Sequence, residues 1–192
     1  MGNFNWEQGF AMDFNLKSGF SGKAATTKRY LSDMKDFFYD SEAAEKILKE
    51  ENPLIYEYYE LGCPERAGDL SFGTTIVYPG LIGNEYYMTK GHFHKKVDTA
   101  EVYYVFSGEG CMVMEDPEGN TREIPMKAGE AVYVPRSYAH RSVNTGNSPL
   151  VMFFTFAADA GHDYGTIEQK GYHHMVCLEN GKMTVTENRK WR

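Results

Sequence analysis

The chain is poor in cysteine: three in 192 residues, Cys63, Cys111 and Cys177, far apart and without a CxxC pair. That excludes a disulfide framework and a zinc ribbon, and it fits reduced thiols in a cytoplasmic protein. Positive charge is in deficit too. Lys and Arg total 20 against 27 Asp and Glu, a net charge of −7, so the basic stripe of a nucleic-acid binder is missing. No run approaches the ~20 apolar residues of a membrane-spanning helix. The start, Met1 to Glu7, has neither the basic nor the apolar stretch of a signal peptide. No membrane or nucleic-acid partner is expected, while a local pocket for a small anion stays open.

What the chain does have is aromatic side chains, 15% of the total, with 14 Tyr and 12 Phe. They suit pleated, half-buried strands, and some of the hydroxyls could line a polar pocket. Residues 1 to about 30 show no clean period and read as an irregular arm. Ser32 is expected to cap a short turn from Asp33 to Phe38, and Asp40 or Ser41 a better helix from about Glu42 to Glu50. Asn52-Pro53 stops that helix.

From Leu54 onward short runs with a period near two succeed one another: Leu54–Glu60, Ser71–Tyr78, Glu85–Thr89, Glu101–Phe106, Cys111–Glu115, Thr121–Ile124, Ala131–Val134 and Leu150–Phe156. Turn residues separate them, such as Pro79-Gly80, Ser107-Gly108 and Gly146-Asn147. A last hairpin is expected about Asn180-Gly181, between His173–Leu178 and Lys182–Thr186. The fold class predicted is all-β, a sandwich or barrel, with short N-terminal helices and an N-terminal arm. One domain spans 1–192, of which 1–53 are arm and short helices and 54–192 barrel and C-terminal hairpin.

Histidine is scarce, six in all, so its placement is informative. His92 and His94 stand in Gly91-His92-Phe93-His94, Glu101 follows seven residues after His94, and His140 comes after Tyr133-Val134-Pro135. On a strand, positions i and i+2 share a face, so two imidazoles can meet at one point. A His-x-His pair alone fits a surface or core strand as well as a ligand pair. Three imidazoles and a carboxylate together form a set suited to Fe, Mn, Ni, Cu or Zn.

The surrounding pattern resembles the two-part signature of the cupin superfamily, G-x5-H-x-H-x(3,4)-E-x6-G followed by G-x5-P-x-G-x2-H-x3-N. Its second part here reads Gly129, Pro135, Ser137, His140, Asn144. Two departures stand out: six residues separate His94 from Glu101, and Ser137 replaces a glycine. Thr89 to His94, Ala100 to Tyr103 and Ala158 to Ile167, with its Gly-His-Asp-Tyr-Gly block, resemble more narrowly the cupin-type phosphoglucose isomerases described mainly from archaea. Leu31 to Met34 and Gly68 to Gly80 extend the likeness, which runs from about residue 30 to the C-terminus.

That resemblance implies a double-stranded β-helix fold and the interconversion of glucose 6-phosphate and fructose 6-phosphate. It implies one divalent metal per chain, Fe first, with Mn, Ni or Zn as alternatives, held by His92, His94, Glu101 and His140. Thr75, Thr89 and Gly91 fall at phosphate-contacting positions, where hydroxyls and backbone amides meet phosphate oxygens. Glu101 is the expected base for the C2 proton through a cis-enediol, preferred over a direct hydride shift. Tyr103 shares the Glu101 strand face and could contact a sugar hydroxyl or pack in the core. His162 is expected to assist ring opening, with Tyr164 beside it in the substrate loop and Asp163 capping the next turn. Family members often carry Tyr-Pro where this chain has Phe156-Ala157, so one hydroxyl towards the substrate is lost. A homodimer is implied, with the arm able to pair with a neighbour's sheet edge.

The same scaffold hosts metal-dependent oxidases and dioxygenases, and also non-catalytic sugar binders, because fold does not fix function. Neither alternative needs the Gly-His-Asp-Tyr-Gly block.

Overall fold

Fifteen short strands and three short helices carry the architecture of the computed structural model, which describes residues 4–191. The arm ends in strand β1 (Ala25–Tyr30), followed by helix α1 (Leu31–Met34), a 3-10 turn (Lys35–Phe37) and helix α2 (Ser41–Leu48). Strands β2 (Leu54–Glu60), β3 (Leu70–Val77), β4 (Leu81–Ile82), β5 (Glu85–Tyr86) and β6 (Phe93–His94) follow. Next come β7 (Glu101–Ser107), β8 (Glu109–Glu115), β9 (Thr121–Lys127), β10 (Ala131–Val134), β11 (Ala139–Asn144) and β12 (Leu150–Ala157). The chain closes with β13 (His162–Asp163), helix α3 (Gly165–Lys170), β14 (His174–Glu179) and β15 (Lys182–Glu187). No helix among the described residues is long and apolar enough to cross a membrane.

A six-stranded sheet runs β1-β2-β3-β12-β7-β10, and a three-stranded sheet β11-β8-β9. Isolated bridges Met88↔Val143 and His92↔His140 continue the second sheet towards the first, and Asn144 Nδ2 donates to Val77 O across the two at 2.8 Å. Between the layers lie fully buried Val77, Val105, Met112, Leu150 and Met152. Each strand sends alternate residues there, which is what a period of two dictates. The result is the expected all-β barrel with short N-terminal helices.

Several local expectations change. The arm is not irregular throughout, because the polar run Ala25–Tyr30 pairs antiparallel with β2 as an edge strand. Ser32 does not cap the first turn. Tyr30 holds that place, with Asp33 accepting from its backbone N–H at 2.9 Å, and the Ser32 hydroxyl accepts from Asn52 instead. Asp40 does cap α2, accepting from Ala43 N at 2.9 Å. Strand β9 runs past Ile124 to include Pro125, which is tolerated at the open edge of the three-stranded sheet. The C-terminal hairpin forms as expected, with Asn180 (φ 51°) and Gly181 (φ 75°) both left-handed, the geometry of a tight two-residue turn.

The arm lies on the outer face of its own six-stranded sheet. Phe10 stacks on Phe72 and Phe14 meets Phe153 edge-on, while Thr74 Oγ1 donates to Gly19 O at 2.5 Å. Gly19 (φ 67°) presses so closely on Ile76 that a side chain there would collide with it.

Candidate active site

His92 and His94 reach one point although only His94 sits on a strand. Gly91 (φ 73°) turns the chain inward against Tyr172 and His140, and His92 then exchanges two backbone hydrogen bonds with His140. His94 pairs across β6 and β13 with His162, which brings the Gly-His-Asp-Tyr-Gly block to the same place. Glu101 opens β7, and His140 is the second residue of β11. One ligand atom from each of His92, His94, Glu101 and His140 lies within 4.8 Å of the others.

Close polar contacts orient these groups. His94 Nε2 and His140 Nε2 approach Glu101 Oε2 at 3.1 and 2.9 Å. The Nδ1 of His94 meets Thr99 Oγ1 at 2.8 Å, and that hydroxyl donates its own hydrogen bond to Lys96 O at 2.7 Å. Thr99 therefore accepts from His94 Nδ1–H, and Nε2 keeps its lone pair for the cluster. The extra length between His94 and Glu101 supplies this threonine. Ser137 adopts the left-handed conformation (φ 69°) that a glycine would take freely, and its hydroxyl donates to Val97 O at 3.1 Å.

The donor set fits a divalent transition metal. The Nε2 of His92 is buried with no hydrogen-bond partner, a costly state for an imidazole unless something binds there. Burial, then the neighbouring imidazoles of His140 and His162, push the His92 pKa well below its ordinary value, so it is a neutral donor. Burial alone would raise the Glu101 carboxyl, yet His140, His94 and His92 hold it well below the usual carboxylate range.

Above this cluster a pocket opens. Its walls include Thr75, Thr89, Gly91, Tyr103, His162 and Tyr164 together with His92, Glu101 and His140; His94 backs the cluster from behind. Every site residue singled out in the sequence is thus brought to one place. Phe156 is there too, tilted against His94 and edge-on to His162. Tyr56, Tyr58, Glu60, Ser142 and Phe154 also line the pocket and were not singled out. The alternation of β2 could have found the first three, had it been known which of its faces points inward. Burial raises the Tyr103 phenol well above its ordinary pKa, and the Glu101 charge adds to this. Burial likewise lowers the His162 imidazole.

The remaining two histidines and the three cysteines lie elsewhere. His173 stacks on Trp191, and His174 Nδ1 sits 2.7 Å from Glu123. Cys63 is half-buried, and Cys111 and Cys177 are buried free thiols.

The family model for glucose-6-phosphate isomerase matches residues 28–191. The chain is 46% identical to a glucose-6-phosphate isomerase of Thermococcus litoralis, over 97% of this chain and 98% of that one. It is 47% identical to one of Pyrococcus abyssi over 96% of both. A bacterial relative of the same name, from Sinorhizobium medicae, is 37% identical over 95% of this chain and 87% of its own. With a matched family model and full-length relatives on both counts, the chain belongs to the glucose-6-phosphate isomerase family.

Proposed function

We propose that this pocket interconverts glucose 6-phosphate and fructose 6-phosphate by proton transfer between C1 and C2. The observation that carries the reading is the convergence of His92, His94, Glu101 and His140 at the floor of a pocket whose wall offers Thr75, Thr89 and Gly91. A divalent metal held by those four residues would stabilise the oxygen charge that develops at C1 and C2.

The chain's own residues divide the rest of the work. Hydroxyls of Thr75 and Thr89 and the backbone at Gly91 receive the phosphate, small groups that let its oxygens approach closely. His94 and His140 approach Glu101 at Oε2 alone, which leaves Oε1 to take the C2 proton and return it to C1. His162, neutral because burial lowers its pKa, exchanges a proton with the sugar oxygens as the ring opens. Tyr103 and Tyr164 keep their protons, since burial raises both phenols, and donate to sugar hydroxyls. Phe156 and Phe154 exclude water from the same wall. By family likeness the metal is iron and the protein a cytoplasmic homodimer, with residues 1–192 acting as one domain.

A coupled assay with either sugar phosphate tests the reading. Turnover is expected to vanish on chelation and return with Fe(II), Mn(II), Ni(II) or Zn(II). Solvent tritium is expected to enter C1 of fructose 6-phosphate. Full retention of a C2 label over many turnovers would replace proton transfer by a hydride shift. His140→Ala is expected to lose both metal and activity, and full activity in that variant would remove the site assignment.

A further inference from the structure

Among the side chains that line the pocket there is no lysine or arginine, while two carboxylates, Glu60 and Glu101, are present. A sugar phosphate brings a dianion, and Thr75, Thr89, Gly91 and Ser142 meet it with neutral donors only. The counter-charge at that end has to come from just behind the wall.

Four cations stand near. Arg141, between His140 and Ser142, is engaged elsewhere: its guanidinium donates to His174 O at 2.9 Å, lies 3.8 Å from Glu85 and covers the Tyr172 ring. Lys90 is already engaged: its Nζ is 3.7 Å from Glu168 and 4.8 Å above the Phe37 ring, and it lines a different cavity. Lys95 is exposed and packs against Gly161, on the side of the pocket that holds His162. Arg29 remains. It lies opposite Tyr56 in the β1–β2 register, so the two side chains share a face, and Tyr56 is part of the pocket wall. On that same face Thr27 opens onto the neighbouring groove, which shares Tyr58, Glu60 and His162 with the pocket. Arg29 makes none of the ion pairs among the described residues. Its Nε is buried without a hydrogen-bond partner. Burial pushes the Tyr56 phenol up to about 12, and the Arg29 guanidinium pulls the other way, as it also does on Tyr164. The guanidinium therefore stands beside Tyr56 in the pocket wall, with Tyr164 within reach of its charge and a donor to spare.

We propose that Arg29 is the cation of the phosphate end, the residue that makes the pocket select a phosphorylated sugar over a neutral one. The proposal rests on the reading that the phosphate lies against Thr75, Thr89 and Gly91. A guanidinium suits such a position, because it stays charged at every working pH and its planar fork matches phosphate oxygens. Its partly buried place limits screening by solvent and salt.

Arg29→Gln, compared with Arg29→Lys and with a Thr75→Val/Thr89→Val double variant, tests it. Steady-state kinetics give kcat and KM for fructose 6-phosphate, and calorimetry gives the affinity for inorganic phosphate. Arg29→Gln is expected to weaken both KM and phosphate affinity about ten- to a hundredfold, the loss of one charge-assisted bond, with kcat little changed. Arg29→Lys is expected to recover part of that loss, because charge returns without the fork. Phosphate affinity and KM unaltered in Arg29→Gln, with both weakened in the threonine double variant, overturn the role of Arg29 alone. No weakening in either variant moves the phosphate elsewhere and overturns both readings. Should the glutamine variant fail to fold, Arg29→Lys decides: a raised KM at constant kcat supports the proposal, and a fall in kcat alone overturns it.

Discussion

Thr99 Oγ1 lies 2.8 Å from His94 Nδ1 and donates its own hydrogen bond to Lys96 O at 2.7 Å, so a loop hydroxyl sets the tautomer of a candidate metal ligand. Thr99→Val keeps the shape and removes the acceptor, leaving His94 Nδ1 only the more distant Thr99 O at 3.3 Å. Metal affinity is expected to fall about ten- to a hundredfold. Thr99→Ser should restore it. Competition with a coloured chelator gives the affinity, and equal affinity in all three proteins would discard the tautomer argument.

Ser137 is the second departure from the cupin signature that the structure explains. Its left-handed backbone costs about 1–2 kcal/mol that glycine does not incur. Its hydroxyl bond to Val97 O returns about 1 kcal/mol. Ser137→Ala keeps the strain and loses the bond, whereas Ser137→Gly loses the bond and relieves the strain. Urea denaturation should rank the glycine variant above the alanine variant by about 1 kcal/mol. The reverse order would mean that the turn is not strained.

The fold was legible where chemistry and period coincide. His92, His94, Glu101 and His140 could be gathered from spacing, and most of the barrel from alternation. Strand β11 could not. Ala139–Asn144 reads as a polar stretch with no alternation, yet all six residues are buried. Most of its polar groups are met, the Arg141 Nε excepted: Arg141 donates to His174 O, Ser142 N to Thr89 Oγ1, and Asn144 Nδ2 to Val77 O and Ser148 O. Hydropathy cannot reveal a strand whose burial depends on partners far along the chain. Strand β1 was hidden for a different reason, since a polar edge strand resembles a loop. Arg29, Tyr56 and Tyr58 were missed with it, because a site wall depends on which face of a strand turns inward.

Phe156, at the position where the family resemblance implies a tyrosine, packs against His94 and His162. Phe156→Tyr returns a hydroxyl to the pocket. KM for fructose 6-phosphate is expected to fall by up to about tenfold, one hydrogen bond's worth. An unchanged or higher KM would mean that the ring, rather than a hydroxyl, is what the pocket needs there.

Glu115 is fully buried and is met by three donors: His173 N at 2.5 Å, Trp191 Nε1 at 2.9 Å and Lys170 Nζ at 3.0 Å. Lys170 ends helix α3, which starts directly after Tyr164, so this carboxylate fastens the substrate loop from behind. Trp191→Phe removes one donor and is expected to cost about 1–2 kcal/mol. Glu115→Ala leaves the partly buried Lys170 ammonium and two buried N–H donors without their acceptor, and is expected to cost about 3–5 kcal/mol and to raise KM. Thermal melts together with kinetics check both. A Glu115→Ala protein with wild-type KM would uncouple this anchor from the loop.

The chain has two tryptophans. Trp6 sits in the arm against Phe10, and Trp191 sits on His173 beside Glu115. Neither lines the pocket. Tryptophan fluorescence, excited where tyrosine does not absorb, therefore reports on the two segments strapped over the outside of the barrel rather than on the pocket wall. A change in tryptophan emission marks a strap letting go, and the tyrosines of the pocket report separately, at shorter wavelength.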